Sequence, residues 1–242
     1  MTLPAPYPPL VAGGEGLDLY PASPDALAAR MARIYGVKVE QVLPVRGLTH
    51  GLELVWRLCA REGLAVEAPD SAPYDRIASL YVRKDSKATE TGAVIVRGLG
   101  SDEAIAEMAA RVAPALLVVD EGLIEFSDSI SATTLIDATP NLVVLRSLSL
   151  AYGLAGARIG AALAGADTLS RLATVVEPYA LPEPLVRLAH QALDPSRMIE
   201  TAERIVAVRR ERERLVRELS RIMTLENGVG PVIMARPSDL DS

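Results

Sequence analysis

The fold of this chain is constrained most by short apolar runs, rich in β-branched residues, that alternate with stretches of helical pattern. Near-continuous apolar runs such as 115–119 (ALLVV) are typical of strands buried on both faces of a sheet. Strands that alternate with helices predict a mostly parallel sheet with helices on both sides. We therefore expect an α/β fold in three layers, with strands near 64–67, 79–82, 93–96, 116–119, 142–145 and 159–163.

Helix boundaries are marked by local signals. Residues 23–25 (Ser-Pro-Asp) combine an N-cap serine, Ser23, with a proline at the first helical position and an acid in the first turn. Gly36 is expected to end that helix, and Gly63 to end a second helix that opens at the turn 46–51. A long charged stretch at 197–223 predicts a connecting helix whose charged face is solvated.

These elements divide the chain into three parts. Residues 1–22 are rich in proline and glycine and predict an N-terminal arm. Residues 23–196 carry the strand–helix alternation and form the large α/β domain. Residues 197–242 hold the connecting helix and, at 231–235, a segment that could begin another strand.

Composition narrows the classes of function. Of 242 residues 50% are hydrophobic and 23% charged, the balance of a globular protein. The formal net charge of −6 argues against a nucleic-acid or anionic-membrane role. The single cysteine, Cys59, excludes an internal disulfide and lies among apolar helix residues, so we expect a buried structural thiol. With no apolar stretch of membrane-spanning length and no signal-peptide pattern, a cytoplasmic protein is expected.

Polar residues follow three predicted strands, where ligands of open α/β sheets collect. The turn Gly47-Leu48-Thr49 allows close backbone approach and opens a helix whose N–H groups could bind an anion. Asp120 ends a buried strand, where a carboxylate needs a partner. A third cluster comprises Ser147, Ser149 and Arg158, which suit a phosphate.

Each of these three sites has a simpler local interpretation. The glycine turn could be an ordinary strand-to-helix connection, with His50 capping the helix or facing solvent. Asp120 could cap the following turn. The serines could satisfy nearby backbone groups, while Arg158 pairs with a carboxylate.

Residues 142–164 (LVVLRSLSLAYGLAGARIGAALA) resemble the cofactor-lysine segment of the fold-type I pyridoxal-phosphate aminotransferases, and the histidinol-phosphate branch most closely. Three further segments, 19–47, 116–126 and 175–193, also resemble segments of this family and occur in the same order along the chain. The resemblance implies a PLP-transferase-like large domain whose C-terminal small domain is largely missing. It also implies a role in amino-acid biosynthesis and dimerisation, with itself or with a related subunit.

The resemblance assigns roles to the polar strand ends. Gly47, Leu48 and Thr49 match the family's phosphate turn, and Asp120 matches the aspartate that contacts the pyridine nitrogen of pyridoxal phosphate. Ser147, Ser149 and Arg158 match the groups that hold the cofactor phosphate.

Leu150 stands where the family has the lysine that forms the Schiff base, and leucine has no amine. Leu123 stands at a tyrosine position, and 97–101 (RGLGS) replaces the family's asparagine-containing motif. The remaining lysines, Lys38, Lys84 and Lys87, are not expected to substitute for the missing amine.

Three hypotheses follow from these departures. The chain could be a catalytically impaired or inactive aminotransferase homologue that binds pyridoxal phosphate without a covalent bond. It could instead be a non-catalytic module that dimerises or binds a protein partner. The third hypothesis is a binder of phosphorylated small molecules that uses the residual phosphate cup.

Overall fold

The computed structural model describes residues 17–18, 20–81, 90–98, 100–226 and 230–235. Most of the predicted N-terminal arm (1–16 and 19) therefore lies outside the described residues, as do Lys84 and Lys87. Within the arm, the ring of Tyr20 packs on that of Tyr179, with centroids 4.7 Å apart.

Helices and strands alternate through the first two thirds of the chain, as predicted. The described helices are α1 (Asp25–Tyr35), α2 (Gly47–Glu62), α3 (Tyr74–Tyr81), α4 (Asp102–Val112), α5 (Ala166–Ala173), α6 (Glu183–Ala192) and α7 (Pro195–Leu219). The strands are β1 (Val42–Val45), β2 (Ala65–Glu67), β3 (Thr91–Arg97), β4 (Leu116–Asp120), β5 (Leu142–Ser147), β6 (Gly160–Ala164), β7 (Leu225–Glu226) and β8 (Met234–Ala235). Short 3₁₀ turns occupy Val39–Gln41, Ile124–Phe126, Ala132–Leu135 and Ala155–Ala157.

Six strands form one sheet in the order β1-β6-β5-β4-β3-β2. Strands β2 to β5 pair in parallel, whereas β6 is antiparallel to both β5 and β1. The sheet is thus mostly parallel, as predicted, with a single reversed strand. Its two edges are short, four residues in β1 and three in β2.

The sheet separates two hydrophobic clusters, which makes the fold a three-layer α/β structure. Successive residues of β4 alternate between them: Leu117 and Val119 pack with α1, α4 and α6, while Leu116 and Val118 pack with α2, α3 and α5. Trp56 of α2, the one tryptophan of the chain, is buried in the second cluster.

Two local predictions were wrong. Residues 79–81, predicted as strand, belong to α3, because Tyr74 and Ile77 are three residues apart and bury one helical face while Leu80 is exposed. Ser23 is not the N-cap of α1: the helix begins at Asp25 with Pro24 in that position, and the Ser23 hydroxyl donates to the Asp25 carboxylate instead. Gly36 and Gly63 end their helices in the left-handed conformation, as predicted.

The long charged helix starts two residues earlier and ends four residues earlier than predicted. None of the residues of α7 is buried, and several of its arginines pair with glutamates one turn away, as in Arg214–Glu211, while Arg209 pairs with Asp128. The charged face is therefore solvated. Residues 231–235 do contribute a strand, β8, which pairs with β7 in a two-stranded sheet.

Candidate functional site

A cavity of about 350 Å³ opens at the carboxyl ends of β3, β4 and β5, within the size range of small-molecule sites. Each of these strands contributes its last residue to the lining: Arg97, Asp120 and Ser147. The lining also includes the predicted site residues Leu48, Thr49, Ser149, Leu150 and Arg158. Residues that are up to 110 positions apart in the sequence are therefore brought to one cavity.

One end of the cavity is built around Arg158, a non-glycine residue in the left-handed backbone region (φ 54°). Its guanidinium donates to the hydroxyl of Ser149 at 3.2 Å and to the carbonyl of Ala155 at 3.1 Å. The arginine packs against Gly47, where a Cβ would lie 2.7 Å from its Nη2. Gly47 therefore completes this end of the site because only a residue without a side chain leaves room for the guanidinium.

The local interpretation of this cluster holds only in part. The Ser147 hydroxyl does accept the backbone N–H of Ser149 at 3.1 Å. The ion pair expected for Arg158 is not found within the described part of the chain, where its partners are a hydroxyl and a carbonyl. A guanidinium held by neutral groups keeps its charge available to an anion.

Asp120 has two partners at the end of β4. One carboxylate oxygen accepts the backbone N–H of Gly122 at 2.9 Å, the turn-capping bond that was one of the two interpretations. The other accepts the hydroxyl of Tyr74 at 2.5 Å. Burial and the adjacent Asp120 carboxylate raise the pKa of Tyr74 to about 12, so the phenol stays protonated and donates.

Arg97 extends this contact into a chain of three side chains. Its Nε donates to the hydroxyl of Tyr74 at 3.3 Å, and its guanidinium lies over the tyrosine ring, 5.1 Å from the centroid. In the sequence, Arg97 stands out only as part of a departure from the family motif. The usable signal was the parallel register, which places the last residues of β3 and β4, Arg97 and Asp120, side by side.

Leucine side chains form the apolar wall of the cavity. Leu123 and Leu150 line it together with Leu48, and Leu150 keeps 48% of its surface exposed. No lysine is among the lining residues in the described part of the chain. Lys38, the one lysine that is described, pairs with Asp137 at 3.1 Å elsewhere. The cavity therefore combines cationic ends and apolar walls without an amine.

His50 neither faces solvent nor lines the cavity. It is buried, accepts the backbone N–H of Arg46 at the start of α2 at 3.0 Å, and bonds Glu177 at 3.0 Å. Burial lowers the pKa of His50 despite the nearby carboxylate. Partial burial works to raise the pKa of Glu177, but hydrogen bonds from Arg46, the backbone and His50 outweigh it and hold that pKa at about 2. The histidine thus anchors α2 rather than serving as a site residue.

A buried ion cluster adjoins the cavity, and one of its members, Glu121, also lines it. Arg146 pairs with Glu125 at 2.8 Å and Glu121 at 3.6 Å, and lies over the ring of Tyr35. Glu121 also accepts bonds from the Ser131 hydroxyl and a backbone N–H, yet burial keeps its pKa above the ordinary value. The charges of the cluster are paired internally, although the Arg146 Nε, one Glu125 oxygen and the Tyr35 hydroxyl find no hydrogen-bond partner in the described part of the chain. We therefore interpret the cluster as a structural support.

Other classes of site find no support among the described residues. Within them, no group of three or more His, Cys, Asp and Glu side chains is placed to hold a metal ion. Nor does any described helix combine the length and apolar character needed to cross a bilayer. The thiol of Cys59 is buried, as predicted, and burial raises its pKa to about 11.

Solved structures share this architecture. Over 92% of this chain and 75% of the other, a histidinol-phosphate aminotransferase from Clostridium acetobutylicum superposes with a TM-score of 0.74 at 16% identity. The histidinol-phosphate aminotransferase from Sinorhizobium meliloti, in complex with pyridoxal-5'-phosphate, superposes with a TM-score of 0.72 at 20% identity. This superposition covers 86% of this chain and 65% of the other. At these identities the likeness establishes the fold, a PLP-transferase-type α/β domain.

Sequence comparison identifies the family. The chain is 35% identical to the histidinol-phosphate aminotransferase of Stenotrophomonas maltophilia over 86% of this chain and 66% of that protein. The histidinol-phosphate aminotransferase of Aeromonas hydrophila is 32% identical over 86% of this chain and 67% of that protein. The chain thus spans about two thirds of the length of these relatives. Residues 101–235 match the model of aminotransferase class I and II. On both grounds the chain belongs to the class I and II aminotransferase family, among homologues of histidinol-phosphate aminotransferase.

Proposed function

We propose that this chain is a histidinol-phosphate aminotransferase-like protein that binds an organic phosphate in the cavity and has lost transamination. The observation that carries the proposal is the pairing of Arg158 with Ser149 beside Gly47, in the same cavity that Leu150 lines. The cationic end supports phosphate binding, whereas the leucine removes the covalent chemistry.

Pyridoxal phosphate fits one end of this cavity and not the other. Arg158, Ser149 and Ser147 supply donors that suit its phosphate. When bound, the cofactor supplies an electron sink for reactions at an amine-bearing carbon. Covalent attachment needs a lysine amine, and the position assigned to it carries Leu150. We therefore propose that the cofactor is held only by non-covalent contacts.

The loss of the lysine removes two contributions at once. A lysine amine bonds the cofactor covalently, and it also moves protons during the reaction. General acid–base catalysis by one side chain is typically worth ~10²–10⁴-fold in rate. Leu150 offers neither contribution, and the neighbouring Leu123 has no hydroxyl to replace the family's tyrosine. Turnover is therefore expected to fall by at least this factor.

Equilibrium dialysis with pyridoxal phosphate, followed by borohydride reduction and mass spectrometry, tests this proposal. The wild type should retain the cofactor without a covalent adduct, Arg158→Gln should retain less, and Leu150→Lys should gain a covalent adduct. The matched control is Leu188→Lys, because Leu188 lies in α6 outside the cavity and is exposed to a similar extent, 45%. Equal labelling of both lysine variants, or no effect of Arg158→Gln, would count against the cavity.

The dimer expected from the family resemblance stays a prediction. Exposed apolar side chains on α7, Ile199 and Val206, are 66% and 54% accessible in the single chain. Light scattering coupled to size-exclusion chromatography gives the mass in solution. A mass of twice 25.8 kDa supports a homodimer. A mass of 25.8 kDa contradicts the homodimer and favours pairing with a related subunit.

A further inference from the structure

Arg97 places a second cation in the cavity, separate from the phosphate end. It is the last residue of β3 and lines the cavity, whereas Arg158 follows β5. The cavity therefore has two guanidinium groups, one from the end of β3 and one from the connection between β5 and β6. The leucine side chains of the apolar wall line the same cavity.

Neutral groups hold the Arg97 guanidinium in place. Its Nε bonds the Tyr74 hydroxyl, its Nη2 bonds the carbonyl of Ala72 at 3.1 Å, and its plane lies over the Tyr74 ring. None of the ion pairs in the described part of the chain involves Arg97, although its hydrogen bond to Tyr74 and, to a lesser degree, the charge of the nearby Asp120 help to raise the pKa of its guanidinium. A fixed guanidinium without a direct carboxylate partner is prepared to bind one.

Asp120 does not cancel this second cation. Both of its oxygens already accept hydrogen bonds, one from Tyr74 and one from Gly122. The Tyr74 phenol also separates the carboxylate from Arg97, because it donates to one and accepts from the other. The lining thus presents two arginines and two carboxylates. Both carboxylates are already engaged, Asp120 as described and Glu121 with Ser131, the backbone N–H of Ala132 and Arg146.

We infer that the cavity takes an organic phosphate that also carries a carboxylate, with the carboxylate bound by Arg97. This inference rests on the proposed function, since Arg158 and its serines must hold the phosphate. Leu123 and Leu150 then contact the carbon skeleton between the two acidic groups. A charge-assisted, two-point contact with a carboxylate makes Arg97 the residue that determines specificity.

Two matched pairs of probes test the inference by isothermal titration calorimetry. Phenyl phosphate and 4-carboxyphenyl phosphate differ by one carboxylate on a rigid spacer. Glycerol 3-phosphate and 3-phosphoglycerate share a short spacer and differ in that the first carries a hydroxymethyl group where the second carries a carboxylate. We expect the carboxylate to tighten binding by ~10-fold or more in at least one pair, the usual worth of a charged hydrogen bond. Arg97→Gln should abolish this gain, and Arg97→Lys should restore part of it.

The control variant is Arg111→Gln, because Arg111 is an exposed cation of α4 outside the cavity. It should keep the full carboxylate gain. The ratio within each pair is the decisive readout, since a merely structural role of Arg97 would weaken both members equally; Trp56 fluorescence checks folding. Phosphate binding without a carboxylate gain, or a gain that survives Arg97→Gln, overturns the inference alone. If no phosphate binds and Arg158→Gln changes nothing, the proposed function fails and the inference falls with it.

Discussion

Replacing Gly160 by alanine should destabilise the protein, although alanine is normally the better residue in a strand. Gly160 begins β6 and pairs with Ser147 of β5. A Cβ at this position would lie 2.4 Å from the backbone oxygen of Arg146 and 3.3 Å from the Cα of Gly47. Both neighbours are main chain, so neither can rotate away as a side chain would.

The magnitude follows from the size of the overlap. Atoms at 2.4 Å must separate by about 1 Å to reach ordinary contact, and overpacking of this kind costs about 3 kcal/mol at the upper end of the usual range. The lost backbone freedom of glycine returns up to ~1 kcal/mol. A net loss of about 2 kcal/mol remains, equivalent to a fall in Tm of roughly 4–8 °C for a chain of this length.

Urea unfolding followed by the fluorescence of the buried Trp56 measures the loss. The control is Gly156→Ala, because no atom lies within 4 Å of a Cβ there. Gly160→Ala should also weaken phosphate binding, since the displaced Gly47 packs against Arg158. Equal stability of the two variants, within ~0.5 kcal/mol, would refute the argument from backbone crowding.

Three further predictions concern buried charge, pH and the thiol. Arg146→Met leaves two buried carboxylates unpaired and should cost about 3–5 kcal/mol in chemical denaturation, whereas Lys38→Met, which breaks an exposed pair, should cost at most ~1 kcal/mol; similar losses would contradict the burial argument. Because the folded pKa of Glu177 is about 2, below its ordinary 4.5, its contribution is present above pH 4.5 and is lost as the pH falls from there toward 2. Glu177→Gln should therefore be less stable at pH 7, by about 1–2 kcal/mol after allowance for partial exposure, and should show a flatter pH dependence in this window; an unchanged profile would exclude the role. Cys59, with its pKa raised to about 11, should react with a disulfide reagent at pH 8 only after unfolding, and fast labelling of the folded protein would show that the thiol is accessible.

The parts of the fold that follow from periodicity could be predicted from the sequence. Strands β4 and β5 are recognisable as apolar runs. The glycines at 36 and 63 end their helices in the left-handed conformation, which glycine adopts at little cost. The strand predicted at 79–82 was wrong because local periodicity is ambiguous over so short a stretch. A run of four residues cannot separate a strand from one face of a helix, and the tertiary contact of Tyr74 with Asp120 is not visible in the local sequence.

The candidate site divides in the same way. The grouping of Ser147, Ser149 and Arg158 in one cavity could be predicted because the three lie within one segment, which the family pattern aligns. The Arg97–Tyr74–Asp120 chain was not, because it joins three elements whose proximity depends on sheet register. His50 illustrates the same limit. It is an unusual residue for a glycine-rich turn, but its hydrogen bond to Glu177, which is distant in sequence, gives it a structural role that the local sequence does not reveal.

The short edge strands have a consequence for how this protein meets other molecules. A long unpaired edge invites further strands from neighbouring chains and leads toward aggregation. Here β1 has four residues, one of them Pro44, which offers no backbone donor, and β2 has only three. The sheet is therefore a poor template for growth by strand addition.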